Sequence, residues 1–178
     1  DINRAISTSD IIFICVGTPT RKGSIQVDLS FVYKCTKEIL KYSKKKKIIV
    51  TKSTVPVGTG DGIEKIVKRK KKLFTVISNP EFLREGEAIR DFRYPDRIVI
   101  GSNEKKAFNI MRKLYAPLTN KGSKFFTTSR RGAELIKYAS NAFLATKITF
   151  INELANLCEK SGVEVEDISL GMGSDSRI

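Results

Sequence analysis

Histidine is absent from the 178 residues of this chain, and cysteine occurs only three times. With no histidine and no CxxC spacing among Cys15, Cys35 and Cys158, the usual ligand patterns of a zinc site are missing. Each cysteine lies in an apolar stretch, so we interpret all three as small buried residues rather than as disulfide or metal partners. Free thiols are typical of a reducing compartment, and we therefore expect a cytoplasmic protein without a metal site.

Long hydrophobic runs are also absent. No apolar stretch approaches the roughly 20 residues that a membrane helix needs, and the first residues show no signal-peptide pattern. Hydrophobic residues make up 40% of the chain and charged residues 29%, a composition typical of a globular rather than a disordered protein. The length suits one domain, or one domain and the start of another.

Acidic residues are too few to balance the basic ones, which leaves a formal net charge of +14. Much of the excess lies in two lysine-rich runs, residues 44–47 and 68–72, each at the end of a predicted helix. Cations there complement the helix dipole and keep a loop solvated. Since neither run contains aromatic residues that could stack on bases, we favour a solvated surface over nucleic-acid binding. A catalytically inactive basic chain that binds polyanions stays the alternative.

Short apolar runs alternate with helical patterns over residues 1–128. We predict strands at residues 11–16, 48–50, 74–77, 98–100 and 125–127, and helices at residues 28–42, 61–71 and 104–115. This alternation predicts an α/β fold with a Rossmann-like parallel sheet and helices on its faces. The continuous apolar character of residues 11–16 predicts a strand that is buried on both sides.

The pattern changes after residue 128. From residue 129 to about residue 160 there is no proline and one glycine, Gly132, while apolar residues recur at helical spacing. We predict one long helix of about 45 Å that ends at Gly162. Because this helix outruns the sheet, we assign residues 1–128 to the sheet domain and residues 129–178 to the start of a helical central domain.

Three proline-containing loops directly follow predicted strands, at residues 17–20, 53–56 and 79–82. In a doubly wound sheet, the loops beyond the carboxyl ends of the strands line the ligand crevice. Hydroxyl and main-chain donors in such turns suit an anionic or carbonyl ligand. Each loop alone is a common turn sequence, but their recurrence after successive strands predicts one shared crevice.

Charged residues near these loops are candidates for chemistry. Glu81 ends the third loop, and burial in a cleft can raise the pKa of such a carboxyl enough for acid or base catalysis near neutrality. Glu85 lies four residues further on, and both carboxylates could instead be surface acids. Lys137 and Asn141 share one face of the long helix and could hold a developing oxyanion, with an exposed helix face as the alternative.

Six strings follow one another along the chain: VGTPT (16–20), KSTVPVGTG (52–60), SNPEFLREG (78–86), YPDRIVIG (94–101), ELIKYASNAFLATKITFINELANLCE (134–159) and GMGSDSRI (171–178). In this order they resemble the UDP-glucose/GDP-mannose dehydrogenase family over nearly the whole chain. NPEFLREG together with KYASNA is highly specific. The resemblance implies an NAD-dependent oxidation of UDP-glucose to UDP-glucuronate, a step of nucleotide-sugar metabolism for polysaccharide biosynthesis, by two successive hydride transfers. GDP-mannose or another nucleotide sugar is the alternative substrate, and the SDSRI ending favours UDP-glucose.

The resemblance also implies a role for individual residues. It implies that Glu81 is the acid/base acting through an ordered water held by Thr54, and that Lys137 and Asn141 stabilise the oxyanion at C6. It implies that one group of residues contacts the NAD cofactor, namely Val16, Gly17, Thr18, Pro19, Thr20, Ser53, Thr54 and Glu85. The substrate contacts that it implies are Glu81, Phe82, Leu83, Arg84, Glu85, Lys137, Asn141 and Arg177. Since the family's equivalent of Arg177 reaches the substrate of a neighbouring subunit, we expect a homodimer or higher homo-oligomer.

Two features of the family are not found in this sequence. It contains no GxGxxG turn, the phosphate-binding fingerprint, and none of its cysteines lies in the glycine-rich context of the family's nucleophile. We therefore expect residues 1–128 to be the C-terminal part of the NAD-binding domain and residues 129–178 the start of the central, dimerising domain. We expect the chain alone to be inactive.

Overall fold

A computed structural model of the chain describes residues 1–68 and 73–178. Two compact units are present, Asp1–Lys137 and Tyr138–Ile178. The first contains a five-stranded sheet with its helices, and the second contains most of a long helix and a short helix after it. Residues 69–72 of the lysine-rich run at 68–72 lie outside the described residues. The division into domains at residue 128 stays a prediction.

The elements follow the predicted order. The strands are β1 (Ile11–Ile14), β2 (Lys47–Thr51), β3 (Phe74–Ser78), β4 (Arg97–Ser102) and β5 (Lys124–Thr128). The helices are α1 (Ile2–Thr8), α2 (Ser30–Tyr42), α3 (Thr59–Val67), α4 (Ala88–Arg93), α5 (Lys105–Thr119), α6 (Arg130–Ser161) and α7 (Val165–Gly173). We did not predict α1, α4 or α7 as elements; α1 and α4, with seven and six residues, are too short to show a helical period.

The sheet has the strand order β1-β2-β3-β4-β5, and its neighbours are parallel except for β3 and β4. The prediction of an α/β fold with a Rossmann-like parallel sheet is confirmed, and the structure adds one antiparallel neighbour pair to it. The antiparallel pair is short, with Ile77 opposite Ser102 and Ser78 opposite Gly101. Because these residues end their strands, the carboxyl ends of β3 and β4 lie side by side.

Apolar side chains cover both faces of the central strands. Every residue of β2 is buried, and its alternate side chains belong to two clusters. Ile49 packs in the cluster that includes residues of α2 and α3, whereas Ile48 and Val50 pack in the cluster with α5. This two-sided burial is what a continuous apolar run predicts. The helices on the two faces therefore fix the central strands and the loops that follow them.

The edge strand β1 is less buried than we expected. Phe13 is 37% exposed, and Ile14 is the only residue of the strand that is fully buried. Within the described residues β1 pairs with β2 alone, so one of its edges has no neighbouring strand. The prediction that this strand is buried on both sides is therefore wrong, because an apolar run does not tell a central strand from an edge strand.

Two further expectations from composition are wrong at single residues. Lys47 is only 4% exposed, because its Nζ atom donates hydrogen bonds to Ser7 O at 3.3 Å and Ser9 O at 2.5 Å, at the end of α1. The remainder of that lysine run, residues 44–46, is exposed as predicted. Cys15 is exposed rather than buried, whereas Cys35 is partly buried and Cys158 is buried.

The predicted long helix is present as α6, with 32 residues. Gly162 follows it with a φ of +68°, a conformation that ends helices and favours glycine. The Val163 N–H donates to Cys158 O at 3.1 Å, which closes the last turn. None of the helices in the described part of the chain combines the length and apolar character that crossing a bilayer requires.

Candidate functional site

The loops that follow β1, β2 and β3 lie together. In the second loop, Ser53 Oγ donates to Val16 O at 2.6 Å in the first loop, and Thr18 Oγ1 of the first loop donates to Thr54 O at 2.8 Å. Thr54 Oγ1 donates to Glu81 Oε1 of the third loop at 3.2 Å. Because these bonds run from loop to loop, the three strand ends form one continuous surface, as the topology predicts.

Glu81 is at the centre of this arrangement. Its Oε1 atom lies 2.9 Å from Lys137 Nζ on α6, and its Oε2 atom accepts a hydrogen bond from the Leu83 N–H at 2.6 Å. The Lys137 side chain is 7% exposed and the Glu81 side chain 26%. A pair this far from solvent is screened little by salt, and loss of one partner leaves the other charge uncompensated.

The environment of Glu81 lowers its pKa. Burial by itself raises the pKa of this carboxyl, but the Leu83 N–H, the Lys137 ammonium and the Thr54 hydroxyl together outweigh it. The expectation of a raised pKa is therefore wrong, because the Leu83 N–H, the Lys137 ammonium and the Thr54 hydroxyl all favour the ionised form of this carboxyl. Glu81 is ionised near neutrality, so it can accept a proton but has none to donate.

Lys52 is a second lysine in the same electrostatic environment, and we did not predict a role for it. Burial lowers its pKa, and the Lys137 charge lowers it further, while Glu81 and Cys15 act in the opposite direction. The sequence alone does not mark Lys52 as a site residue, since one lysine directly after an apolar strand is a common surface pattern. Lys52 and Lys137 thus repel each other, while both are attracted to the carboxylate of Glu81.

The rest of the third loop is held by other side chains. The Phe82 ring lies 4.1 Å from the Arg97 guanidinium carbon and 5.4 Å from Lys137 Nζ, both distances from the ring centroid and within cation–π range. Arg84 forms an ion pair of 2.7 Å with Asp91, and hydrogen bonds from Arg84 lower the pKa of Asp91 to about 2. The Arg84 guanidinium is therefore already engaged within the chain.

The asparagine that opens the third loop is structural. Asn79 is 1% exposed, its Nδ2 atom donates to Val99 O at 2.9 Å, and its Oδ1 atom accepts from the Tyr115 hydroxyl at 2.5 Å. Burial raises the pKa of Tyr115 to about 12. Asn79 thus ties the end of β3 to β4 and α5, and holds the start of the loop that carries Glu81.

Several predicted site residues are not part of this contact network. Gly17, Pro19 and Glu85 are exposed, as is Thr20, which forms an isolated bridge with Val27. Two others belong to the second unit, where Asn141 is exposed on α6 and Arg177 pairs with Asp175 at 2.6 Å. For all of them, the implied contacts with cofactor or substrate stay predictions.

Glu134 is a buried carboxylate that the sequence did not single out. Its Oε2 atom accepts from the Gly58 N–H at 2.6 Å, and its Oε1 atom accepts from the Gly60 N–H at 2.8 Å and from Ser78 Oγ at 3.0 Å. The N-terminus of α3, which in isolation would suit an anion, is thus filled by a side chain of α6. Glu134 and Lys137 are three positions apart, a helical spacing too common to serve as a signal.

Two family models match this chain. The model for the NAD binding domain of the UDP-glucose/GDP-mannose dehydrogenase family matches residues 1–119, and the model for the central domain of the same family matches residues 131–178. UDP-glucose 6-dehydrogenase of Rhizobium meliloti (strain 1021) is 52% identical over 182 residues. That match covers 100% of this chain and 42% of the relative, so the chain spans about two fifths of its length.

Solved structures give a consistent result. A UDP-glucose dehydrogenase from the hyperthermophilic archaeon Pyrobaculum islandicum matches with a TM-score of 0.90 and 37% sequence identity. A GDP-mannose dehydrogenase from Pseudomonas aeruginosa, solved as a ternary complex, matches with a TM-score of 0.92 and 30% identity. Each match covers 100% of this chain and 42% of the solved chain.

Proposed function

This chain belongs to the UDP-glucose/GDP-mannose dehydrogenase family, and from that premise we propose that its protein oxidises UDP-glucose to UDP-glucuronate with NAD. The observation that carries this proposal is the buried pair of Glu81 and Lys137, 2.9 Å apart where three strand-end loops meet. A carboxylate that accepts protons and an ammonium that stabilises negative charge are the two groups that oxidation of an alcohol requires.

The first oxidation divides the C6 alcohol into a hydride and a proton. Bound NAD would supply the acceptor for the hydride, and we assign the hydroxyl proton to the ionised Glu81 carboxylate. We assign to Lys137 a hydrogen bond to the C6 oxygen while negative charge develops there, and such a donor acts mainly on the transition state. Thr54 donates to Glu81 Oε1 and so fixes the orientation of the carboxylate.

The first loop suits a cofactor on its outer side only. Gly17 and Pro19 are exposed, and a Cβ atom added at Gly17 would meet no atom within 4 Å. In contrast, the hydroxyls of Thr18 and Ser53 donate to main-chain carbonyls inside the loops. We therefore assign Gly17, Pro19 and the main chain of residues 16–20 to contact with NAD, and the two hydroxyls to shaping the surface beneath it.

The third loop supports the substrate assignment in part. We assign the segment from Glu81 to Glu85 to contact with the nucleotide sugar, through Phe82, Leu83 and the main chain. Because Asp91 already neutralises the Arg84 guanidinium, we expect Arg84 to contribute less charge than its sequence position implies. Asn141, and Arg177 from a neighbouring subunit of a homodimer, complete the proposed set. A reducing, cytoplasmic location fits three free thiols.

Initial-rate measurements on the full-length protein test the proposal. We expect NADH to form from NAD with UDP-glucose, with two molecules of NADH per sugar when the reaction runs to completion. GDP-mannose at the same concentration is the matched comparison, since the GDP-mannose dehydrogenase above shares this fold. If NADH forms with GDP-mannose but not with UDP-glucose, the substrate assignment is wrong and GDP-mannose takes its place. If NADH forms with neither sugar, the proposed activity is refuted. Binding of nucleotide sugars that weakens steeply as the salt concentration rises, and that does not depend on the identity of the sugar, would favour a polyanion-binding chain.

A further inference from the structure

We propose that Glu134 is a positioning residue that holds Lys137 against Glu81. Glu134 is 2% exposed, and its carboxylate accepts three hydrogen bonds, from Gly58 N, Gly60 N and Ser78 Oγ. Charge-assisted bonds of this kind are stronger than neutral ones, and the positive end of the α3 dipole adds to them. One side chain of α6 is therefore fixed to the start of α3 and to the end of β3.

The same bonds determine where Lys137 lies. Residues three apart on a helix are neighbours on its surface, and Glu134 and Lys137 line one small cavity together with Ser78 and Pro80. Ser78 is three residues before Glu81 on the other side of the contact. The Glu134–Ser78 bond and the Lys137–Glu81 ion pair therefore connect the same two segments twice, so the first sets the separation at which the second forms.

Packing around Glu134 indicates that the approach of α6 is specific. A Cβ atom at Gly60 would lie 3.0 Å from Glu134 Oε1 and 3.1 Å from Ser78 Oγ, tighter than an ordinary contact. A Cβ atom at Gly101 would lie 2.6 Å from Ala133 Cβ, which would push the first turn of α6 away from β4. Glycine at both positions lets the helix come close enough for the carboxylate to reach the α3 main chain.

The ion pair with Glu81 does not by itself fix Lys137. A lysine has a flexible four-carbon stem, and its ammonium group is strongly hydrated when free. The positive charge of Lys52 acts on Lys137 from the end of β2 and opposes its retention in the site. An anchor on the helix backbone is therefore needed to keep the ammonium in place, and Glu134 is the buried group that supplies it one turn before Lys137.

A second tie between α6 and α3 provides a matched control. Arg130 Nη2 lies 2.8 Å from Asp61 Oδ1 and 2.5 Å from Glu64 Oε2, one turn before Glu134. Asp61→Asn weakens this tie but leaves Arg130 paired with Glu64. Asp61→Asn should therefore lower the stability of the fold without moving Lys137. In Glu134→Gln, the amide NH₂ of glutamine faces main-chain N–H donors, so the anchor is lost and Lys137 should be released.

The experiment measures Lys137 directly, in the full-length protein without ligands. Reductive methylation with formaldehyde and a borohydride labels accessible lysines, and peptide mass spectrometry gives the rate at Lys137. We expect Glu134→Gln to be labelled about tenfold faster than the wild type, because labelling of a buried amine reports local opening. Asp61→Asn should be labelled at the wild-type rate. Ser78→Ala, which removes one of the three bonds, should give an intermediate rate and replaces Glu134→Gln if that variant does not fold.

The effect on turnover rests on the proposed function and is measured separately. Glu134→Gln should lower kcat by about tenfold or more with little change in the KM for UDP-glucose, the pattern expected when a transition-state contact is lost. Wild-type protection of Lys137 in both Glu134→Gln and Ser78→Ala, or equal deprotection in Asp61→Asn, would overturn the positioning role. If the wild type shows no dehydrogenase activity, the proposed function fails, while the labelling rates still decide the role of Glu134.

Discussion

Lys137→Met in the full-length protein separates the role that we propose for Lys137, donation to the C6 oxygen, from its effect on the pKa of Glu81. Methionine keeps an unbranched apolar stem but removes the ammonium that lies 2.9 Å from Glu81 Oε1. One consequence is loss of a donor to the C6 oxygen, and the other is a change in the pKa of Glu81. Because Lys137 is among the groups that lower this pKa, its removal must raise it.

The direction of the pKa change and the size of the rate change follow from the local geometry. An opposite charge this close favours the ionised carboxyl, so its removal raises the pKa of Glu81 in the variant. The Leu83 N–H and the Thr54 hydroxyl still bond to the carboxylate, and Lys52 still acts on it at longer range. They keep the shift below the value that burial alone would give. Loss of one donor to a developing oxyanion typically lowers kcat by about 10² to 10³.

The assay is kcat/KM for UDP-glucose as a function of pH. Glu81 must be ionised to accept a proton, so activity falls on the acid side as the pH drops through its pKa. In the wild type this inflection lies below the ordinary value for a glutamate, and in Lys137→Met it should move upward into the range where activity is measurable. A lower rate with an unmoved acid inflection would refute the claim that Lys137 sets the charge state of Glu81. A raised KM at high salt with an unchanged kcat would show instead that Lys137 binds a phosphate.

Three other variants test neighbouring parts of the argument. Glu81→Gln should lower kcat by about 10² to 10⁴ with nearly unchanged binding of UDP-glucose in calorimetry, because it removes the proton acceptor but not the shape of the loop. The ionised Glu81 should also stabilise the fold at pH values above its unfolded pKa of about 4.3, and this contribution is lost as the pH falls through its lower folded pKa. The difference in free energy of unfolding between wild type and Glu81→Gln, measured in urea, should therefore become smaller as the pH is lowered through that range. Asn79→Ala should cost about 1 to 3 kcal/mol for each buried group that it leaves unpaired, measured by urea denaturation, whereas Tyr115→Phe should cost less.

Most elements of the fold could be predicted because their signals are local. Apolar runs and helical periods gave every strand and the long helix to within a few residues, and glycine at position 162 gave the end of that helix. The errors concern relations between distant segments. The sequence does not encode in any one stretch that β1 lies at an edge, or that the end of α1 comes close enough to accept two hydrogen bonds from Lys47.

The candidate site also combines features that local sequence signals predict with features that depend on distant segments. The topology of strands predicts that Thr54 and Glu81 meet, and family resemblance adds Lys137, but neither gives the charge state of the cluster. That state depends on the Leu83 N–H two residues on, on Lys137 from a distant part of the chain and on the Thr54 hydroxyl, which together reverse the effect of burial on the pKa of Glu81. Glu134 was missed for a similar reason, since its partners are main-chain N–H groups that leave no mark in the sequence.

The antiparallel contact between β3 and β4 decides whether α6 can reach the loops at all. The connection between these strands, residues 79–96, is long enough for a crossover to a parallel strand, so its length does not predict the direction of β4. A fully overlapped antiparallel strand would end at the far edge of the sheet and carry α6 away from Glu81. Instead only Ile77 and Ser78 pair with β4, opposite Ser102 and Gly101, and β5 follows β4 in parallel register. The carboxyl end of β5 therefore lies at the same edge of the sheet as that of β3, with β4 between them, and the first turns of α6 bring Glu134 to Ser78 and Lys137 to Glu81.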